Sequence, residues 1–350
     1  MNTYDNFWNW FEENSPDFFN AVKTGNRIEK SFFQKLTAKL GELKDGIFYL
    51  AGMVDENIAE LIFTPDGVVK NVVFVEELVR AAPSVAGWKF TALKQESEVQ
   101  DATIQMKGHT FDKDILSFYS NDHPEYPDAI DITIIHKDYK EENKEIFSGG
   151  ACIFLDNYLG ELNFINTIDN LNVIGPEHVQ KEPVPAAKLK DFLTWREKEF
   201  LEKYEGIRHN TKNDRYASLE GILQNGKPII AIVNTTLLEW DRKASHPWIL
   251  KAGIKFEGHY KTGMPDDDTY DLLNAFEEDI SEELKDQDGY LNIGRQTSDS
   301  IREIYYACKD FRKPSKVLYQ LMSDYKGRVD FMYDIYKDKY WQSFEHLRLQ

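Results

Sequence analysis

Asp266, Asp267 and Asp268 form a dense acidic cluster within reach of His259. Oxygen donors in that number suit Mg²⁺ or Ca²⁺, but the run lacks the alternation and the glycine of an EF-hand loop. Aspartates just ahead of an apolar-periodic segment also take up free N–H groups and face the positive end of a helix dipole, and capping is the expected role here. The 8 histidines include no HxH or HExxH pair, so no zinc site is expected. There is no GxSxG turn for a nucleophile and no Walker A or GxGxxG sequence after a strand. Cys152 and Cys308 lie far apart in apolar surroundings without a CxxC, which predicts two reduced core residues. Carboxylate pairs such as Glu12-Glu13, Glu76-Glu77 and Glu282-Glu283 are ordinary in a chain with 60 acids and read as solvated helix faces. No catalytic, metal-ligating or cofactor-binding residue is expected.

Arg295 is the charged residue that stands out, because it sits between two strand segments beside Thr297 and shortly before Arg302. A guanidinium holds a carboxylate through two parallel hydrogen bonds, so Arg295, Thr297 and Arg302 are candidates for binding an acidic partner. The competing role is an internal salt bridge to the helix bearing Asp279, Glu282 and Glu283, and pairing of that kind accounts for most such arginines.

Periodicity supplies the elements that must carry these side chains. Phe7, Trp8 and Phe11 predict a first helix, and Ser15-Pro16 reads as the cap and first turn of a second. Phe33, Leu36, Leu40 and Leu43 mark a third. Strands are expected at 48–53, 58–63 and 88–92 around a helix over 71–82. Further strands are expected at 103–111, 115–119 and 130–136. The stretch 141–160 reads as mostly helical, with Gly149-Gly150 arguing for a break. Gly175 to Ala187, with Pro176, Pro183 and Pro185, reads as the linker, followed by a connecting helix through Leu189 and Tyr204. Beyond it, Asn225-Gly226 between two apolar runs signals a hairpin. Then come a strand from Trp248, a helix after Pro265, strands near 291–294 and 301–308, a helix through Leu318 and a strand to Tyr336.

The expected fold is therefore α+β in two lobes. Residues 1–175 form a strongly acidic domain of helices packed on an antiparallel sheet, 176–187 a proline-rich linker and 188–209 a connecting helix. Residues 210–350 form a ferredoxin-like βαββαβ sandwich preceded by a β-hairpin. The stretch from Phe33 to Leu93 repeats the last five elements of that order.

Gly294-Arg295-Gln296-Thr297, followed by Arg302 and Tyr305-Tyr306, resembles the segment that precedes an aromatic strand in domain-of-unknown-function family 695. Gly263-Met264-Pro265 and Glu277-Glu278-Asp279 resemble that family's approach to its helix and its acidic helix. The resemblance covers residues 210–350 and leaves the first half outside. It implies a bacterial origin and supplies no catalytic residue. In related chains the domain is sometimes joined to one similar to a regulator of a bacterial ribonuclease, which implies protein binding.

With 350 residues, 41% of them hydrophobic and 13% aromatic, the chain has ample surface to bury and is neither disordered nor of low complexity. No apolar run reaches the roughly 20 residues of a membrane span, and the opening residues lack a signal-peptide pattern, so a cytoplasmic protein without membrane attachment is expected. The net charge of −18 is uneven: residues 1–180 carry 15 Lys and Arg against 30 Asp and Glu, residues 181–350 carry 27 against 30. Such a field opposes binding to a phosphate backbone. The sequence thus reads as a non-enzymatic protein-interaction or regulatory module with an unidentified protein partner and an open oligomeric state. The alternatives are an enzyme with dispersed carboxylates in a pocket between the lobes, and an acidic mimic of nucleic acid.

Overall fold

The computed structural model describes residues 3–97 and 102–348. Helices and strands are mixed along the whole chain, giving an α+β protein. It divides into two compact units, Met1–His123 with Ala129–Arg196, and Pro124–Asp128 with Glu197–Gln350. Among the described residues no helix is long and apolar enough to cross a membrane.

The first unit opens on one long helix, α1 (Thr3–Thr24), where two short ones were expected. Pro16 has no N–H for the carbonyl of Glu12, and the Ser15 hydroxyl donates to that oxygen at 2.9 Å, so the helix runs on through the proline. Phe7, Trp8, Phe11 and Phe18 are buried along it; the first three pack on Phe63, Trp88 and Phe90, and Phe18 packs on Phe32. After a π-turn come α2 (Gln34–Leu43), β1 (Phe48–Met53), β2 (Ala59–Thr64), α3 (Val72–Arg80) and β3 (Trp88–Ala92). The sheet order is β1-β2-β3, with β1 antiparallel and β3 parallel to β2. The expected all-antiparallel sheet is corrected here, because the helical crossover through α3 returns the chain in the same direction.

A hairpin follows, β4 (Ile104–Met106) with β5 (His109–Phe111), then β6 (Leu116–Asn121), β7 (Asp131–His136), α4 (Lys144–Leu159), α5 (Glu161–Thr167) and β8 (Asn170–Ile174). Gly149-Gly150 does not break α4. A Cβ on Gly150 would lie 2.1 Å from the Phe111 ring, so the glycine lets the helix settle on that ring. Cys152 is exposed on α4, against the expectation of a core residue, because Ala151, Phe154 and Leu155 take the inward positions. Cys308 is buried.

The proline-rich stretch is not free chain. Its β9 (Val184–Pro185) pairs with Ser117 and Phe118, completing a sheet of order β8-β7-β6-β9, and Ala186 is buried. Pro185 is tolerated because β9 lies at the edge. Then α6 (Leu189–Tyr204) begins, its residues to Arg196 in the first unit and those after in the second.

The second unit adds β10 (Tyr216–Ile222), β11 (Pro228–Asn234), a short α7 (Thr235–Leu238), β12 (Trp248–Lys255), α8 (Asp267–Glu283), β13 (Tyr290–Ser298), β14 (Ile301–Cys308), α9 (Arg312–Asp324) and β15 (Asp330–Lys337). The six strands form one sheet in the order β10-β11-β13-β14-β12-β15, with every neighbouring pair antiparallel. One face meets α8 and α9, where Phe276 packs on Phe331 and Tyr325. The other carries Val233, Ile249, Leu291, Ile293 and Ala307 under Leu237, Trp341 and Phe344.

Candidate functional site

Residue parity and register bring the three expected site residues to one place. Thr297 pairs with Arg302 and Arg295 with Ile304, so Arg295, Thr297 and Arg302 share the face beneath α8. Gly294 makes this possible. Its φ is +147°, it sits at the bulge after Asn292, and a Cβ there would be 2.3 Å from the Ile232 carbonyl oxygen. The bulge turns Arg295 and Thr297 to the helical side while Leu291 and Ile293 stay in the opposite core.

Helix α8 meets them with Tyr270, Asn274 and Glu277. Asp266 caps it, accepting from the Thr269 N–H at 2.9 Å, so the aspartate cluster opens the helix. Arg295 pairs with Glu277 and donates to Asn274 Oδ1 at 3.4 Å. Arg302 is 1% exposed. It donates from Nε to Thr297 Oγ1 at 3.1 Å and from Nη1 to Asn274 Oδ1 at 2.9 Å, and its guanidinium lies 5.1 Å from the centre of the Tyr270 ring. Burial first, and then the Arg295 charge, push its pKa down to about 10, so it stays a cation at neutral pH. Glu277 pairs with Arg295, while Arg302 is held by the neutral groups of Thr297 and Asn274. Asp279, named beforehand as an ion partner, instead accepts from the Tyr325 hydroxyl at 2.5 Å.

These residues lie where helical cover stops. The rows Glu220–Ile230–Thr297–Arg302 and Ser218–Ile232–Arg295–Ile304 cross β10, β11, β13 and β14 on the same face. Arg302 and Ile304 are buried, while Ser218, Glu220 and Ile230 are exposed. Tyr216 is 53% and Ile222 78% exposed on this platform, and Tyr270 is exposed at the rim of α8.

Residues 222–347 match the model of a family of unknown function, DUF695. No curated protein and no solved structure matches the chain. The matched segment holds Gly294, Arg295, Thr297, Arg302 and all of β11, while Tyr216, Ser218 and Glu220 of β10 lie ahead of it. It also holds Gly263 of the Gly-Met-Pro sequence, at φ +68°, whose carbonyl accepts from the Ser300 N–H at 2.8 Å. That contact supports the β13–β14 turn, where Asp299 and Ser300 also adopt positive φ and Asp299 is held by Asn225 and Lys227. The resemblance in the DUF695 region thus resolves into a bulge, an ion pair and a braced turn.

Tyr270, Asn274 and Glu277 were not singled out in the sequence, although their spacing of four and three places them on one helical face. Three further polar groupings also went unnoticed. Ser245 Oγ lies 2.8 Å from His246 Nδ1, but both residues are buried and burial holds the imidazole pKa down to about 3, so the ring has no accessible partner for proton transfer. Glu161, fully buried, accepts from the Thr64 hydroxyl at 2.6 and 2.7 Å and from the Gly67 N–H at 3.2 Å, and burial raises its pKa. Asp128 accepts from Tyr204 and Tyr340 at 2.7 Å each and pairs with Lys203 at 2.8 Å. Burial opposes its charge, but these donors prevail and hold its pKa down.

Proposed function

We propose that the chain is a non-enzymatic protein-interaction module whose second unit engages an acidic partner segment on the platform of β10 and β11, with Arg295, Thr297 and Arg302 at its margin. The observation that carries this reading is that the exposed residues Tyr216, Ile222 and Ile230 lie on the same sheet face as Arg295, which pairs with Glu277, and the buried Arg302. An apolar surface bordered by charge is what a partner can desolvate and orient upon. Arg295 meets the partner; Arg302 sits beneath, bonded to Asn274 and Thr297, and keeps the local field positive. Residues 210–350 are read as a ferredoxin-like sandwich after a hairpin, supported by the order β15-β12-β14-β13 with antiparallel neighbours. Residues 1–175 are read as the other lobe, and the charge of −18 supports a protein partner over nucleic acid. We place the protein in the bacterial cytoplasm. The enzyme alternative needs a buried carboxylate free to react, and Glu161 already accepts hydrogen bonds from Thr64 and Gly67.

The test is capture from a bacterial lysate by wild type, Tyr216→Ala, Ile222→Lys and Arg295→Ala, followed by mass spectrometry. One species retained by wild type and lost with Ile222→Lys and Arg295→Ala is the expected result. Retention by all four proteins, or capture by none, would refute this site.

A further inference from the structure

The sheet of the first unit ends on β1, and nothing in the sequence guards that edge. Residues 47–54, Ile-Phe-Tyr-Leu-Ala-Gly-Met-Val, contain no charge and no proline, and β1 pairs with β2 without a bulge from Phe48↔Thr64 to Met53↔Ala59. Sheet edges ordinarily carry Lys, Pro, a bulge or a cover, because an open row of N–H and C=O groups recruits another strand. The Val54 N–H donates to the Ile58 carbonyl at 2.8 Å, which sets the alternation. Phe48, Leu50 and Gly52 bond towards β2, and the backbone groups of Tyr49, Ala51 and Met53 point away from it. Beside this row runs a groove of about 650 Å³, lined by Phe33, Leu40 and Lys44 on one side and by Phe48 and Leu50 on the other. On the strand, Phe48, Leu50 and Val54 are 51%, 48% and 54% exposed.

We propose that β1 pairs antiparallel with β1 of a second copy of the chain, centred on Ala51. In that register Tyr49 faces Met53 of the second copy and Ala51 faces its own counterpart, so the outward N–H and C=O groups of both strands are satisfied. On the exposed face Phe48 meets Val54, and Leu50 meets Gly52, large against small, which lets the apolar row close over the seam. The antiparallel register also relates the two strands by a two-fold axis, whereas parallel strands would set Lys44 beside Lys44 and Asp55 beside Asp55. A neutral strand is also where two chains of net charge −18 meet with least repulsion.

Light scattering and sedimentation across micromolar to submillimolar concentrations test the assembly, with circular dichroism confirming that each variant folds. Wild type is expected at doubled molar mass. Leu50→Lys, which charges an exposed position, and Ala51→Pro, which removes an outward N–H that β2 does not use, are expected to be monomers. Ala51→Cys, made with Cys152→Ser to remove the other exposed thiol, is expected to form an intermolecular disulfide on mild oxidation. A wild-type monomer at every concentration, a dimer that survives Leu50→Lys, or no disulfide between two copies of the folded Ala51→Cys variant would each overturn the proposal.

Discussion

The three-stranded sheet β1-β2-β3 and the six-stranded sheet of the second unit contain the same succession, helix, two strands, helix, strand. In the second unit β12 directly precedes that succession and lies between β14 and β15. Among the described residues of the first unit no strand precedes α2, and β2 and β3 meet directly and run parallel. The presence or absence of that preceding strand goes with the different pairing of like elements. Local packing differs as well. Gly294 in β13 is pressed against the Ile232 carbonyl, whereas Gly52 in β1 has nothing within 4 Å of where a Cβ would stand.

The sharpest way to break this comparison is to add one methyl group to each sheet. Gly294→Ala must relieve both a positive φ and a backbone clash, and is expected to cost about 4 kcal/mol of stability by chemical denaturation. Gly52→Ala is expected to stay within about 0.5 kcal/mol. Equal costs would show that the interior strand β13 and the edge strand β1 are packed alike.

The arginines extend the test within the second unit. Arg302→Ala removes a buried side chain, leaves Thr297 without its Nε donor and Asn274 with only Arg295, and is expected to cost about 3 kcal/mol. Arg295→Ala removes a partly exposed partner of Glu277, with about 1 kcal/mol expected. A reversed order in denaturation would show that the buried cation is dispensable.

Acid titration contrasts a carboxylate from each unit. The folded pKa of Glu161 lies above its ordinary value of 4.5, so the folded state holds the proton longer and stability from this group falls as pH rises from 4.5 towards the folded value. Glu161→Gln is expected to flatten that descent. The folded pKa of Asp128 lies below its ordinary value of 3.8, so its contribution is complete above 3.8 and is lost as pH falls through the folded value. Asp128→Asn is expected to remove that acid sensitivity. The pH dependence of the difference between each variant and wild type, followed by denaturant melts, is the readout, and slopes of the same sign would contradict the assignment. The smallest effect is expected for Tyr216→Ala, within about 0.5 kcal/mol of wild type, because its ring is exposed.

Much of this was legible beforehand where a face repeats. The alternation from Trp248 to Phe256 and the three-and-four spacing of Leu273, Phe276 and Ile280 located their elements, because burial on one side writes its period into the chain. Segments defined by a partner distant in sequence were misread. Gly149-Gly150 looked like a break until Phe111 was found against it, and 176–187 looked like a linker because β9 is too short to carry a pattern and pairs across more than sixty residues. Arg295 was picked out by its type and place, and its ion pair to the acidic helix is present, but on Glu277 rather than on Asp279, Glu282 or Glu283, a choice made by the rotation of α8 on the sheet.

The sequence by itself determined that the chain buries a large core, that its first half is strongly acidic, where most helices and strands run, and that Gly294, Arg295, Thr297 and Arg302 belong together. Those properties depend on composition and on neighbours within a few residues. Only the tertiary structure decided that β2 and β3 lie side by side, that Arg302 is buried against Tyr270, and that β1 and β10 lie at the ends of their sheets. Strand order and the reach of a covering helix depend on contacts between distant segments, and no local period encodes them.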